Sequence, residues 1–203
     1  DGLRALAVLS VVAFHAAPGR ISAGFLGVDI FFVISGFLIT KIILEKININ
    51  NFSFLDFYSR RVKRIFPSLI TILIATFLLS YVVFTDDELL QLCKHIFSGS
   101  LFLSNFILLN EGGYFDIDSN KKVLLHLWSL SIEEQFYIVW PLVIYIIFRL
   151  NFNPFIIIFI LFILSFFYNI LNLDNKLLIF YSPFSRFWEL LFGSFLSLLV
   201  INN

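Results

Sequence analysis

Two residues near the start of the chain can do chemistry together. Arg4, a fixed cation, and His15, a titratable imidazole, stand eleven positions apart in an apolar run over residues 3–17. At 3.6 residues per turn that is close to three whole turns, so both side chains fall on nearly the same helix face. At 1.5 Å per residue they are roughly 16 Å apart along the axis, about half of a hydrocarbon core. Such a pair can address the two ends of one extended substrate. It also fits a plainer role, with Arg4 snorkelling to the headgroups and His15 at the far interface.

Further polar groups sit where apolar residues would be cheaper. Asp29 lies in the first turns of an apolar run over 25–44, and an intramembrane carboxylate is expensive unless it is paired or near water. Ser35-Gly36, near the middle of that run, reads as a close-packing site between helices. Arg60, Arg61, Lys63 and Arg64 place four cations in five residues. Arg61 and Arg64 share a helix face and can grip one polyanion with two charge-assisted contacts. The same cluster can equally serve topology and anionic-lipid contact. Glu133 and Glu134 stand at the mouth of another apolar helix, which points to a water-accessible cavity. Ser131 has capping-box spacing to Glu134, which leaves Glu133 without a structural explanation. Arg186 and Glu189, three apart, can neutralise each other on one face. His95 reads as an interfacial residue and His126 as a helix-start residue. No zinc-type spacing, Walker loop or Rossmann glycine pattern is present, so no metal and no bound cofactor are expected.

The elements that must position these groups are helices. Of 203 residues 60% are hydrophobic and only 14% charged, with a mean hydropathy of +0.95, against about a quarter charged in a soluble domain. The expected fold is an all-α, polytopic transmembrane helix bundle. About six spans are expected, over 3–17, 25–44, 68–84, 126–148, 154–171 and 183–201, the last incomplete toward the C-terminus. Pro18-Gly19 ends the first run, and Pro141 is expected to kink the fourth. Residues 89–109 are apolar but interrupted by Lys94, His95, Ser98, Ser100, Ser104 and Asn105. They read as a re-entrant or interfacial segment, which leaves Arg149 facing inward. The basic residues of the 46–66 loop place that loop and the N-terminus in the cytoplasm, with 18–24 outside. Net charge is zero, so nothing favours nucleic acid as a partner. The 28 Phe residues suit lipid and interhelical contact. Cys93 is alone, which excludes an internal disulfide. The chain has no Met and opens on Asp-Gly, and it reads as an internal stretch of something longer.

Five stretches together resemble acyltransferase family 3, the integral-membrane O-acyltransferases that include bacterial O-antigen and exopolysaccharide acetylases. They are Asp1-Gly-Leu-Arg4-Ala with His15, Gly27-Val-Asp29 through Ser35-Gly36-Phe-Leu-Ile, and Phe57-Tyr58-Ser-Arg60-Arg61-Val-Lys-Arg64-Ile-Phe-Pro67. The others are Leu125-His126-Leu-Trp128-Ser-Leu-Ser131-Ile-Glu133-Glu134-Gln135-Phe-Tyr137 and Ser185-Arg186-Phe-Trp188-Glu189 followed by Gly193. Leu127 departs from the Thr that the family often carries. The resemblance covers nearly the whole chain, and implies that 1–203 is the N-terminal part of a single membrane acyltransferase domain of about ten spans. It implies transfer of an acyl group, most simply acetyl, from acyl-coenzyme A (acetyl-CoA) to a hydroxyl of a cell-surface carbohydrate such as lipopolysaccharide, or of a glycolipid, at the bacterial inner membrane. His15 is then the catalytic base, with Glu133 or Glu134 orienting it or the acceptor. Arg4, Arg60, Arg61 and Arg64 hold the donor, and Asp29, Ser35, Trp128, Tyr137, Arg186 and Glu189 are supporting candidates. A transporter or channel, or a scaffold whose charges only set topology, remain alternatives. Labelled acyl-coenzyme A separates the three, since only an enzyme transfers the label.

Overall fold

The computed structural model describes residues 2–17, 23–111 and 122–202. Among them the chain is all helical: α1 (Gly2–Ala16), α2 (Leu26–Asn48), α3 (Phe54–Val83), α4 (Asp86–Ser100), α5 (Ser104–Asn110), α6 (Leu127–Arg149), α7 (Pro154–Leu171), α8 (Lys176–Tyr181) and α9 (Pro183–Asn202). Five of these helices, α2, α3, α6, α7 and α9, are long and apolar enough to cross a membrane, while α1 is apolar but shorter. The chain is a multi-pass helical membrane protein. Most of the 18–24 turn and of the 110–125 polar loop lies outside the described residues.

Helix α2 is the spine. Phe32, Ile39 and Ile43 are fully buried on it, and α9 crosses it at backbone contact. A Cβ on Gly36 would meet the Leu190 carbonyl oxygen at 1.9 Å, and one on Gly193 would meet that of Val33 at 1.9 Å. Only glycine permits this approach. Below the crossing Thr40 donates to Ser194 Oγ (2.8 Å) and accepts from Trp140 Nε1 (2.7 Å), tying α2 to α9 and α6. Such bonds hold helices together where no water competes. Helix α1 packs against the other end of α2, where Gly27 faces Ala7 and Ser10.

Two expectations need correction. The basic run was read as part of a loop, with a span only from residue 68. Instead α3 is one 30-residue helix that starts at Phe54, is capped by Ser53, and passes through Pro67. A helix of that length is about 45 Å long, more than the hydrocarbon core, so its basic first turns continue the helix beyond the apolar part. The proposed capping pair of Ser131 and Glu134 does not form. Helix α6 begins at Leu127, and Ser131 donates instead to the Leu127 carbonyl one turn back (2.9 Å). Glu134 is therefore interior to the helix. Among the described residues a capping box of that kind joins Thr85 and Glu88 at the start of α4. Pro141 is accommodated within a continuous α6.

Residues 89–109 fold as two short helices in a V. The chain reverses at Phe102, whose φ of 57° is a strained value for a bulky residue. Gln135 holds the apex, donating to the Phe102 carbonyl (2.7 Å) and to Asn105 Oδ1 (2.8 Å). The returning arm ends with Glu111 beside the middle of α4, where its carboxylate meets Lys94 (2.7 Å), His95 (3.2 Å) and Lys122 (2.8 Å). The segment thus turns back on itself instead of running on as one span.

Burial pushes the Glu111 carboxyl up. Hydrogen bonds from Lys122 and Lys94 and the charge of His95 outweigh it, so its pKa falls below the ordinary carboxylate value. A depressed folded-state pKa stabilises the fold above the unfolded value, and that contribution is lost as pH falls through the folded one. Glu111→Gln should lower the melting temperature at neutral pH. The gap to the parent should close as the pH drops below about 4.5 in a thermal-shift titration.

Candidate active site

Helices α1, α3 and α6, with the first turns of α2, line a cavity of about 950 Å³, near the upper end of the range for small-molecule sites. The three-turn spacing of Arg4 and His15 puts both on its wall, with Val8, Val11 and Val12 between them. Opposite stand Arg61, Arg64, Ile65, Leu69 and Ile72 of α3. Glu133, Glu134 and Tyr137 of α6 close one side, with His126 at that helix's start. The result is an apolar trough with charged groups toward one end and two imidazoles toward the other.

The charged end is a chain of contacts across all three helices. Arg4 Nη2 donates to Ser35 Oγ (3.0 Å) and lies 4.0 Å from Glu133 Oε1. Glu133 accepts from the Tyr137 hydroxyl. The Arg61 guanidinium lies over the Tyr137 ring, 4.2 Å from its centroid. Arg4 and Glu133 are thus partnered, as burial demands. Arg61 and Arg64 make no ion pair with any carboxylate among the described residues. Glu134 is 6% exposed, and one of its oxygens has no hydrogen-bond partner. The site therefore offers an anion two arginines, with an unsatisfied acceptor beside them.

The imidazole end is built differently. His15 Nδ1 lies 2.9 Å from the Val11 carbonyl, one turn back. A carbonyl only accepts, so Nδ1 carries the hydrogen and Nε2 is left as a bare base. Glu133 contacts Arg4, whose place on α1 is three turns from that of His15. Orientation of His15 by that carboxylate is therefore not what the geometry provides; Val11 orients it. The residue that joins His15 is His126, which the sequence reading set aside as a helix-start residue. Its place after a loop and before a polar first turn was the available signal.

Other candidates divide. Ser35, read as packing, also anchors Arg4. Arg60 points away from the cavity, is exposed, and pairs with Asp56, which also holds Lys46 at 3.5 Å. Asp29, Arg186 and Glu189 form a second polar centre between α2 and α9. Arg186 binds Asp29 and reaches Glu189 at 3.0 Å, surrounded by the Phe32, Trp128 and Phe180 rings. None of these residues lines the cavity. The expected pairing of Arg186 with Glu189 is present, and Asp29 joins it. Among the described residues no three His, Cys, Asp or Glu side chains are placed to hold a metal ion.

A family profile described as "Acyltransferase domain" matches residues 1–201. The chain is 40% identical over 183 residues to a Haemophilus influenzae protein without an assigned function, covering 84% of this chain and 73% of that one. It is 38% identical over 166 residues to the O-acetyltransferase OatA of Staphylococcus aureus, covering 81% of this chain and 27% of the relative. It is 45% identical over 145 residues to YrhL of Bacillus subtilis, provisionally named a peptidoglycan O-acetyltransferase, covering 70% and 23%. The chain thus spans about a quarter of the length of the two named relatives. No solved structure matches.

Proposed function

This chain belongs to acyltransferase family 3, and we propose that its cavity is where an acyl thioester of coenzyme A gives its acyl group, most simply acetyl, to a carbohydrate hydroxyl. The observation that carries the reading is the separation of two chemistries along one trough. Arg61 and Arg64 stand without carboxylate partners toward one end, and His15 with a bare ring nitrogen stands toward the other. The phosphates of the donor rest on the two guanidinium groups, which suit forked contacts to phosphate oxygens. The uncharged arm lies along the Val8, Val12, Ile65 and Leu69 surface. Arg4 fixes that arm near the charged end, held by Ser35 and Glu133. The roughly 16 Å between Arg4 and His15 brings the thioester to the imidazole.

Chemistry then needs a base for the acceptor. His15 Nε2 takes the hydroxyl proton as the oxygen attacks the acyl carbon, and the C–S bond breaks to release the thiolate. An imidazole within reach of the hydroxyl is the commonest side chain for this role. The charge rule, applied to the basic first turns of α3 and the ends of α2 and α6, favours an arginine side at the cytoplasmic face of a bacterial inner membrane, with the imidazole end toward the outer half. The acceptor is a cell-envelope carbohydrate, with the name of YrhL favouring a cell-wall glycan over O-antigen or a glycolipid. The test is reconstitution of the full-length protein in liposomes with labelled acetyl-CoA. Label should pass to an added glycan. Release of coenzyme A without acetylated product, or no donor cleavage at all, contradicts the reading.

A further inference from the structure

We propose that His126 is a second acid–base residue of the same cavity, and that it and His15 handle the transferred proton as a pair. The inference rests on the acyl-transfer reading above and adds a catalytic residue to it. Both imidazoles line the cavity, His15 from the last turn of α1 and His126 from the residue before α6. They are close enough that a charge on one disfavours a charge on the other. His15 donates to the Val11 carbonyl at 2.9 Å, which leaves its Nε2 as an acceptor, and His126 reaches the same cavity from the turn before α6. Two imidazoles on the wall of one cavity are more than a helix start requires.

Burial lowers the His126 pKa, and repulsion from His15 adds to this, against the opposing Val123 hydrogen bond. His126 therefore enters the reaction able to take up a proton. The remaining charged groups of the cavity are Arg4 on α1, Arg61 and Arg64 on α3, and Glu133 and Glu134 on α6. Arg4 and Glu133 are engaged with each other, and all five are on the donor side of the trough in this reading. The step balances as follows. The acceptor oxygen bonds the acyl carbon as the C–S bond breaks. The hydroxyl proton passes to one imidazole, and the pair returns it to the departing thiolate, giving ester and free thiol.

The experiment uses full-length protein in liposomes, with His126→Gln, His15→Gln and the double variant, acetyl-CoA as donor and a soluble glycan as acceptor. His126→Gln should fold and bind donor like the parent but lower kcat about ten- to a hundredfold, with donor KM unchanged. Its kcat–pH profile should lose one of the ionisations on the acid limb. The double variant should be little worse than the poorer single variant, because residues acting as a unit are not additive. A folded His126→Gln protein with the parental kcat and pH profile overturns the proposal, as does a double variant whose losses multiply. A parent that transfers no acetyl group overturns the underlying functional reading instead.

Discussion

Replacing His15 with alanine should lower turnover by about two to four orders of magnitude, the usual contribution of general acid–base catalysis. Donor affinity should change little, because the groups proposed to bind phosphate lie toward the other end of the trough. The structure makes this separation concrete. His15 is exposed and, among the described residues, its hydrogen bond goes to its own helix, at Val11. Its removal leaves no buried partner behind, so folding should survive. Measuring kcat and donor KM for the reconstituted variant checks the claim. An insertion-competent protein with parental turnover returns His15 to a merely interfacial role. Arg4→Ala makes the contrast. It frees Ser35 and Glu133, so it should impair donor affinity, and Arg4→Lys should recover part of it.

Arg61→Ala and Arg64→Ala should each weaken donor binding about ten- to a hundredfold. Losing one charge-assisted contact typically costs about 1.5–3 kcal/mol. Lysine at either position should restore only part of the affinity, since the charge returns without the forked geometry. Arg61 carries an added consequence, because its guanidinium covers the Tyr137 ring. Arg60→Ala is the internal control. Arg60 belongs to the same sequence cluster but faces outward onto Asp56, so its loss should leave affinity unchanged. Titration of fluorescent acyl-coenzyme A against the three variants reads all of this. Equal losses at all three positions would mean the cluster acts as a diffuse positive surface and not as a site.

Much of the architecture was legible because hydrophobic length sets membrane helices almost independently of tertiary context. The α7 and α9 spans and the break within 89–109 followed from composition alone. The shared face of Arg4 and His15 followed from helical period, and the cavity bears it out. Other features needed three dimensions. Arg60, Arg61 and Arg64 look alike in sequence, and Arg60 lies only about 40° around the helix from Arg64, so no periodicity reports that Arg60 pairs with Asp56 while the other two line the cavity. Gln135 carries no signal in the sequence beyond following Glu133 and Glu134, but its amide pins Phe102 and Asn105. Asp29 and Arg186 are 157 positions apart, and no local rule pairs residues at that separation. The approach of His126 to His15 likewise depends on how α1 and α6 pack, which no periodicity reports.

The central claim is that one trough holds the donor with its phosphates by Arg61 and Arg64 and its acyl group by His15. A photoreactive acyl-coenzyme A, carrying the reactive group at the end of a short acyl chain, tests it directly. After irradiation of the full-length protein, peptide mapping should place the adducts on the last turns of α1 around Val11, Val12 and His15, and at the start of α6 near His126. Excess unlabelled acetyl-CoA should suppress them. Adducts around Arg4 and Tyr137 instead, or labelling that acetyl-CoA does not suppress, would contradict the account.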